Sequence, residues 1–176
     1  MIELIAIGNA DKAILETLRR PLEEVFAQGT RIGNRMPLSQ EPYYHSRRQY
    51  LASVLLSLIA LPDPGDRVLA VIDVDLFTPG LNFVFGMADT AGGRALISLL
   101  RLRQEFYGLP QDKNLFRERV LKEAVHELGH TYGLGHCPDP ICVMHVSNSL
   151  HDTDLKGWSF CRVCQVKISQ KCNRLS

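Results

Sequence analysis

The sequence predicts a single α/β domain. Three observations carry this. A chain of 176 residues is enough for one sizeable core and short for two. Strand-like and helix-like segments alternate through its earlier part, and no internal repeat or low-complexity stretch interrupts them. The chemistry-bearing residues gather late, in the last third of the chain.

The elements follow in order. Residues 2–7, Ile-Glu-Leu-Ile-Ala-Ile, read as a first strand. From about Asp11, apolar Ile14, Leu15, Leu18, Leu22, Val25 and Phe26 recur at helical spacing, with Pro21 as an interruption. Residues 30–36 fit a second strand ended by Pro37. A polar loop through Pro42 leads into a helix predicted over Ser46 to Leu61, and Pro62-Asp63-Pro64-Gly65-Asp66 breaks the chain there. Arg67 to Val74 reads as a buried strand, because Val68 to Ile72 are all apolar. After the Pro79-Gly80 turn, Leu81 to Phe85 alternates as another strand. Ala95 to Leu102 fits either state, and Gly92-Gly93 before it favours a strand. Asp112 is the predicted N-cap of a long helix reaching to near Gly133, with Phe116, Val120, Ala124 and Leu128 on its apolar stripe. A cysteine-bearing loop and a last helix from about Asp152 complete the chain.

Charge and composition exclude several classes. With 20 Lys+Arg against 19 Asp+Glu, the net charge of +1 gives no support to a nucleic-acid partner. The longest apolar run, Leu51 to Leu61, holds two serines and falls short of the ~20 residues a membrane span needs. The opening Met-Ile-Glu-Leu-Ile has no basic region before an apolar one, so a secretory signal is not expected. All five cysteines lie at or after Cys137. Clustering of that kind points to a metal site in a reducing, cytoplasmic setting rather than to a disulfide framework.

The centre of the sequence is His126-Glu127-Leu-Gly-His130-Thr-Tyr-Gly133-Leu-Gly-His136. On a helix, His126 and His130 stand one turn apart on one face, so both imidazoles can reach one ion. Glu127 lies beside the first ligand, where its carboxylate can address a water rather than the metal. A third histidine on the same straight helix would be out of reach. Gly133 resolves this by taking the left-handed conformation that ends a helix and swings His136 back. Three nitrogen ligands with one position open is the catalytic arrangement for zinc. Zinc would then activate the water and polarise a carbonyl, with Glu127 as general base.

A second site follows at once. Cys137, Cys142, Cys161 and Cys164 form C-x4-C and C-x2-C pairs, the spacing of a closed, tetrahedral, structural zinc site. Two zinc ions per chain are therefore expected, one catalytic and one structural. Cys172 is left over as an unliganded thiol. Because Cys137 follows His136, the structural ion is expected to pin the loop carrying the third catalytic ligand.

The run His126-Glu-x-x-His130-x-x-Gly133-x-x-His136-Cys137-x4-Cys142-x-Met144, then Cys161-x-x-Cys164, resembles the archaemetzincins. Asp73-Val-Asp-Leu-Phe77 and Pro79-Gly-Leu-Asn-Phe-Val-Phe-Gly86 extend the resemblance upstream. It implies a metzincin-like fold: a twisted mixed sheet, a backing helix, an active-site helix and a C-terminal helix. Residues 1–133 would hold the sheet and the helices up to the active-site helix, and 134–176 the third ligand, the cysteine element and the last helix. It also implies that Met144 forms an apolar floor beneath the catalytic ion, and that Leu81 to Phe85 is an edge strand able to receive an extended peptide. The activity implied is that of a zinc peptidase on peptides or proteins, aminopeptidase-like or of limited specificity. Residues 1–125 contain no cysteine that could act as a zymogen latch.

The alternative from another class is a zinc-stabilised, non-catalytic interaction module. It would use the cysteine element and a basic last segment of Arg162, Lys167, Lys171 and Arg174. Glu127 argues against it, since a purely structural site has no use for a general base. His145, Tyr132, Asp73 and Asp75 are weaker candidates, each with an ordinary loop, packing or turn reading beside the functional one.

Overall fold

Strand β1 (Ile2–Ala6) sends Ile2, Leu4 and Ala6 to one side of a sheet and Ile5 to the other. The computed structural model describes residues 1–60, 63 and 65–172, the last two by backbone alone, and sets β1 second in a five-stranded sheet. The strand order is β2 (Thr30–Ile32), β1, β5 (Arg67–Ile72), β8 (Arg94–Ser98) and β7 (Gly86–Asp89). The first four run parallel, and β7 lies antiparallel to β8 at the edge. Parallel strands need cover on both faces. Accordingly Leu69 and Val71 of β5 enter one core, while Val68, Ala70 and Ile72 enter the other.

Helices α1 (Lys12–Phe26) and α3 (Lys113–Thr131) cover the first face, and α2 (Ala52–Ser57) the second. Asp11 caps α1 by accepting from the Ala13 amide at 2.9 Å. The helix then buries Leu15, Leu18, Leu22 and Phe26, side chains of the kind worth about 1.5–3 kcal/mol each when fully buried. Pro21 does not end it. The carbonyl that loses its partner there belongs to exposed Thr17, where water can replace the missing N–H. Among the described residues no helix is long and apolar enough to cross a membrane.

Five expectations need correction. The helix predicted over 46–61 is shorter, because residues 43–51 form a hairpin of β3 (Tyr43–Tyr44) and β4 (Gln49–Leu51). Arg48 takes a φ of +55°, which no helix tolerates, and β4 pairs onward with β6 (Leu76–Phe77). Leu61 itself, with Pro62 and Pro64 of the breaker, lies outside the described residues. The strand over 30–36 is reduced to Thr30–Ile32 plus a single bridge from Met36 to Ile7.

Leu81 to Phe85 is a loop with one bridge, Val84 to Leu76, and the edge strand starts at Gly86. The carbonyls of Leu81 and Asn82 accept from Arg47 and Gln49 side chains at 2.9–3.1 Å instead of from a neighbouring strand. The stretch from Ala95 is strand only to Ser98, after which Leu100–Leu102 forms a 3-10 turn whose first amide, Leu100 N–H, donates to the Ser98 hydroxyl at 3.3 Å. The single last helix is two: α4 (Leu150–Leu155) and α5 (Arg162–Cys172). Between them the Gly157 amide donates to the Ile141 carbonyl at 2.8 Å, which draws the chain across to the cysteine loop.

Candidate metal centre and catalytic cleft

Helix α3 starts on Asp112, whose carboxylate accepts from the amides of Asn114 and Leu115 at 3.0 and 2.9 Å. Val120, Ala124, Val125 and Leu128 anchor it in the core beneath the sheet. That fixes the height and azimuth of His126, Glu127 and His130 on the neighbouring face. Gly133 ends the helix with a φ of +80°, and its amide donates to the His130 carbonyl at 2.9 Å. The Leu134 amide returns to the Gly129 carbonyl at 3.1 Å, and two residues later the chain presents His136. Side-chain nitrogens of His126, His130 and His136 lie within 4.8 Å of one another.

These three suit zinc. Tetrahedral bonds of about 2.0–2.1 Å put nitrogen pairs roughly 3.3 Å apart, and Nε2 of His126 and of His130 are 3.1 Å apart. The other ring nitrogens are already committed: Nδ1–H of His126 donates to the Val143 carbonyl at 2.8 Å, and that of His130 to the Leu134 carbonyl at 2.7 Å. This fixes the tautomer that leaves Nε2 lone pairs for an ion. Burial holds His126 well below the ordinary imidazole range, helped by the Lys156 ammonium and by His130; burial also lowers His130. Both shifts favour the neutral imidazole, the form that metal ligation requires.

Glu127 is buried among them, against Gly86 of the edge strand. Burial pushes its carboxyl well above the usual carboxylate range, and neighbouring Glu123 pushes the same way. A carboxyl raised towards neutrality is suited to taking and returning a proton. The site opens into a cleft of about 510 Å³ lined by Phe83, Phe85, Met87 and Val146 to Asn148 among others.

The four sulfurs of Cys137, Cys142, Cys161 and Cys164 also lie within 4.8 Å of one another, and none of the four is in a disulfide. Tetrahedral Zn–S bonds of about 2.3 Å place sulfurs roughly 3.8 Å apart, the separation found between Cys137 and Cys161. The Cys164 amide donates to Cys161 and holds its thiol below the ordinary value, whereas burial raises Cys142 and Cys164. The Cys172 side chain lies outside the described residues, as do those of Lys171 and Arg174.

Met144 is fully buried, with Sδ under Gly129: a β-carbon there would stand 2.5 Å from the sulfur. Its carbonyl accepts from the Cys137 amide at 2.9 Å, so floor and cysteine loop are one hydrogen-bonded unit. Among the weaker candidates, His145 Nδ1–H donates to the Cys137 carbonyl at 2.9 Å, as a loop brace. Tyr132 stacks on Phe26 in the core at 5.2 Å. Asp75 grips Arg101 with both oxygens at 2.6 and 2.7 Å, and Asp73 pairs with Arg103 at 2.5 Å, which leaves neither for a cation.

Three participants had not been singled out from sequence. Gly86 faces Glu127. Glu123 lines the cleft one turn before Glu127, and its four-residue spacing from the base was the available signal. Lys156, fully buried, places Nζ 3.1 Å from Glu123 Oε1, 3.3 Å from the His145 carbonyl and 3.5 Å from His126 Nδ1. Nothing local in the sequence marks it.

With this geometry in place, comparison decides the family. The profile of Peptidase family M54 matches residues 35–170. The chain belongs to that family, the archaemetzincins. It is 43% identical to an archaemetzincin of Pyrococcus furiosus over 99% of this chain and 95% of the relative. Another, from Methanocaldococcus jannaschii, is 44% identical over 94% of this chain and 90% of its own length. The crystal structure of an archaemetzincin from Methanopyrus kandleri superposes with a TM-score of 0.87 at 37% identity, covering 99% of this chain and 96% of that one. One from Archaeoglobus fulgidus, complexed with malonate, gives 0.83 at 38% identity, with 95% and 99% covered. An archaemetzincin is a zinc metallopeptidase, so the substrates are peptides or proteins. The non-catalytic interaction module is thereby set aside.

Proposed function

We propose that the chain hydrolyses peptide bonds with Glu127 as general base and holds two zinc ions. One would sit on His126, His130 and His136, the other on Cys137, Cys142, Cys161 and Cys164. The observation that carries the reading is the convergence of three imidazole nitrogens within 4.8 Å, with the buried Glu127 carboxyl on the next residue after His126. Zinc, when bound, polarises the carbonyl and acidifies water. The remaining work belongs to the chain's own groups. Glu127 takes a proton from the attacking water, whose oxygen bonds to the carbonyl carbon. It then returns that proton to the amide nitrogen, so the C–N bond breaks and a neutral amine leaves. Val143 and Leu134 carbonyls keep two imidazoles in the productive tautomer throughout.

The same reading treats the chain as one catalytic unit, with residues 1–133 carrying the sheet and active-site helix and 134–176 completing both metal sites. It places the protein in the reducing cytoplasm, where four thiols stay available for a metal. Cleavage would be of limited specificity, at the amino end of a peptide or inside it. Metal analysis with a peptide-library digest of wild type and Glu127→Ala tests the proposal. Two zinc ions per chain in both proteins, with cleavage only in wild type, is the expected result. Full hydrolysis by metal-replete Glu127→Ala would overturn it.

A further inference from the structure

An enzyme that removes N-terminal residues has to hold the free α-ammonium that precedes the bond it cuts, which calls for an unpaired carboxylate beside that bond. Among the described residues, those lining this cleft include two carboxylates, Glu123 and Glu127, and no lysine or arginine. Glu127 is the proposed base. Glu123 is ion-paired: its buried Oε1 lies 3.1 Å from Lys156 Nζ. The Lys156 side chain has no exposure and that of Glu123 only 4%, so water does not compete for the pair. Among the described lining residues, neither an unpaired acid for an ammonium nor a basic side chain for a terminal carboxylate is on offer.

We infer that the cleft receives an internal segment of a peptide chain and discriminates against a free α-ammonium directly before the cleaved bond. The inference rests on the proposed metal and base assignment and deepens it. With a divalent ion on the histidines, that ion and Lys156 supply three positive charges, and Glu123 with Glu127 removes two. One positive charge remains on this set of groups, of which the Lys156–Glu123 pair is shielded from water. A proton passing between the attacking water and Glu127 leaves that sum unchanged. A substrate ammonium would therefore add a like charge within a few ångströms of the ion, where the weakly screening interior makes repulsion strong. Acetylating the amine removes it. Phe83, Phe85 and Val146 meanwhile offer apolar walls to side chains of an extended, uncharged segment.

The test is equilibrium binding to the zinc-loaded protein, followed by calorimetry. The probes are two peptide analogues in which the cleaved amide is replaced by a ketomethylene group. One carries a free α-ammonium directly before that group and the other is N-acetylated there. The acetylated analogue is expected to bind at least about tenfold more tightly to wild type. Lys156→Met removes one positive charge and should shrink that ratio. Glu123→Gln removes a negative charge and should enlarge it. The paired Glu123→Gln, Lys156→Met variant restores the original sum, and with it the wild-type ratio. Comparing ratios cancels any contact made by the acetyl group itself. If Lys156→Met does not fold, Glu123→Gln and the uncharged double variant still decide the matter. Tighter binding of the free amine by wild type, or a ratio indifferent to these charges, would overturn the inference. Failure of the general-base reading shows separately, as hydrolysis that survives Glu127→Ala.

Discussion

Gly86 and Glu127 touch across the wall of the cleft: a β-carbon on Gly86 would stand 2.7 Å from Glu127 Cγ and 2.8 Å from its Oε1. The same carbon would lie 2.7 Å from the Leu96 carbonyl oxygen, so it could not escape towards the sheet. The edge strand thus sets the position of the carboxyl by having no side chain at this point. Gly86→Ala should displace Glu127 and lower kcat about 10²-fold, the order expected of a 1 Å misplacement at a reacting group. Zinc content should stay at the wild-type level. Steady-state kinetics beside metal analysis checks this, and unchanged kcat would count against Gly86 as a positioning residue.

Cys161→Ser removes one of four converging sulfurs. The variant should lose one zinc and melt at a lower temperature. Because Cys137 follows His136 directly, affinity for the second ion should also fall, by about 10–100-fold if the loop acts as an outer support of the ligand. Titration against a competing chelator measures this. Wild-type affinity at the histidine site would show the two sites to be independent.

Arg119 is buried at 4% side-chain exposure and forms a two-pronged pair with Asp154 at 2.6 and 2.7 Å. The pair binds α4 to the active-site helix. Asp154→Ala would strand the guanidinium and should cost about 2–3 kcal/mol, below the ~3–5 kcal/mol of a fully buried pair, because Asp154 is 31% exposed. Urea denaturation gives the number directly, and a loss under 0.5 kcal/mol, roughly the scatter of ordinary surface changes, would contradict it.

Without metal, the histidines make stability depend on pH. The folded values of His126 and His130 lie below the ordinary 6.5, so below that pH the unfolded chain binds more protons than the fold. Their contribution is therefore fully present above 6.5 and is lost as pH falls through the lower folded values. Glu127, raised above 4.5, works in the opposite sense. Substituting Glu127→Gln removes that opposition. The metal-free Glu127→Gln protein should melt at a higher temperature at pH 8 than at pH 5.5, and a flat or inverted profile would refute the account.

The convergence of the three histidines was legible because its determinants are local. Four-residue spacing aligns His126 with His130, and Gly133 has the φ of +80° that the turn towards His136 required. The capped helix from Asp112 was legible for the same reason. What escaped depends on contacts between distant residues. Arg48 in a left-handed turn makes a hairpin of a segment whose apolar spacing suited a helix. Arg47 and Gln49 take the carbonyls of Leu81 and Asn82, which moves the edge strand on to Gly86. Lys156 joins Glu123 from 33 residues away, and no periodicity announces a pair of that kind.

His136 and Cys137 share a single peptide bond, and the Cys137 amide is in turn held by the Met144 carbonyl. On the proposed reading, peptide cleavage uses no sulfur. Yet an oxidant that coupled any two of the four thiols would expel the structural ion and slacken the segment bearing the third histidine. Hydrolysis would then stop without damage to any group that touches the substrate. On that reading, the single peptide bond between His136 and Cys137 would tie hydrolysis to the oxidation state of four thiols that never meet the substrate.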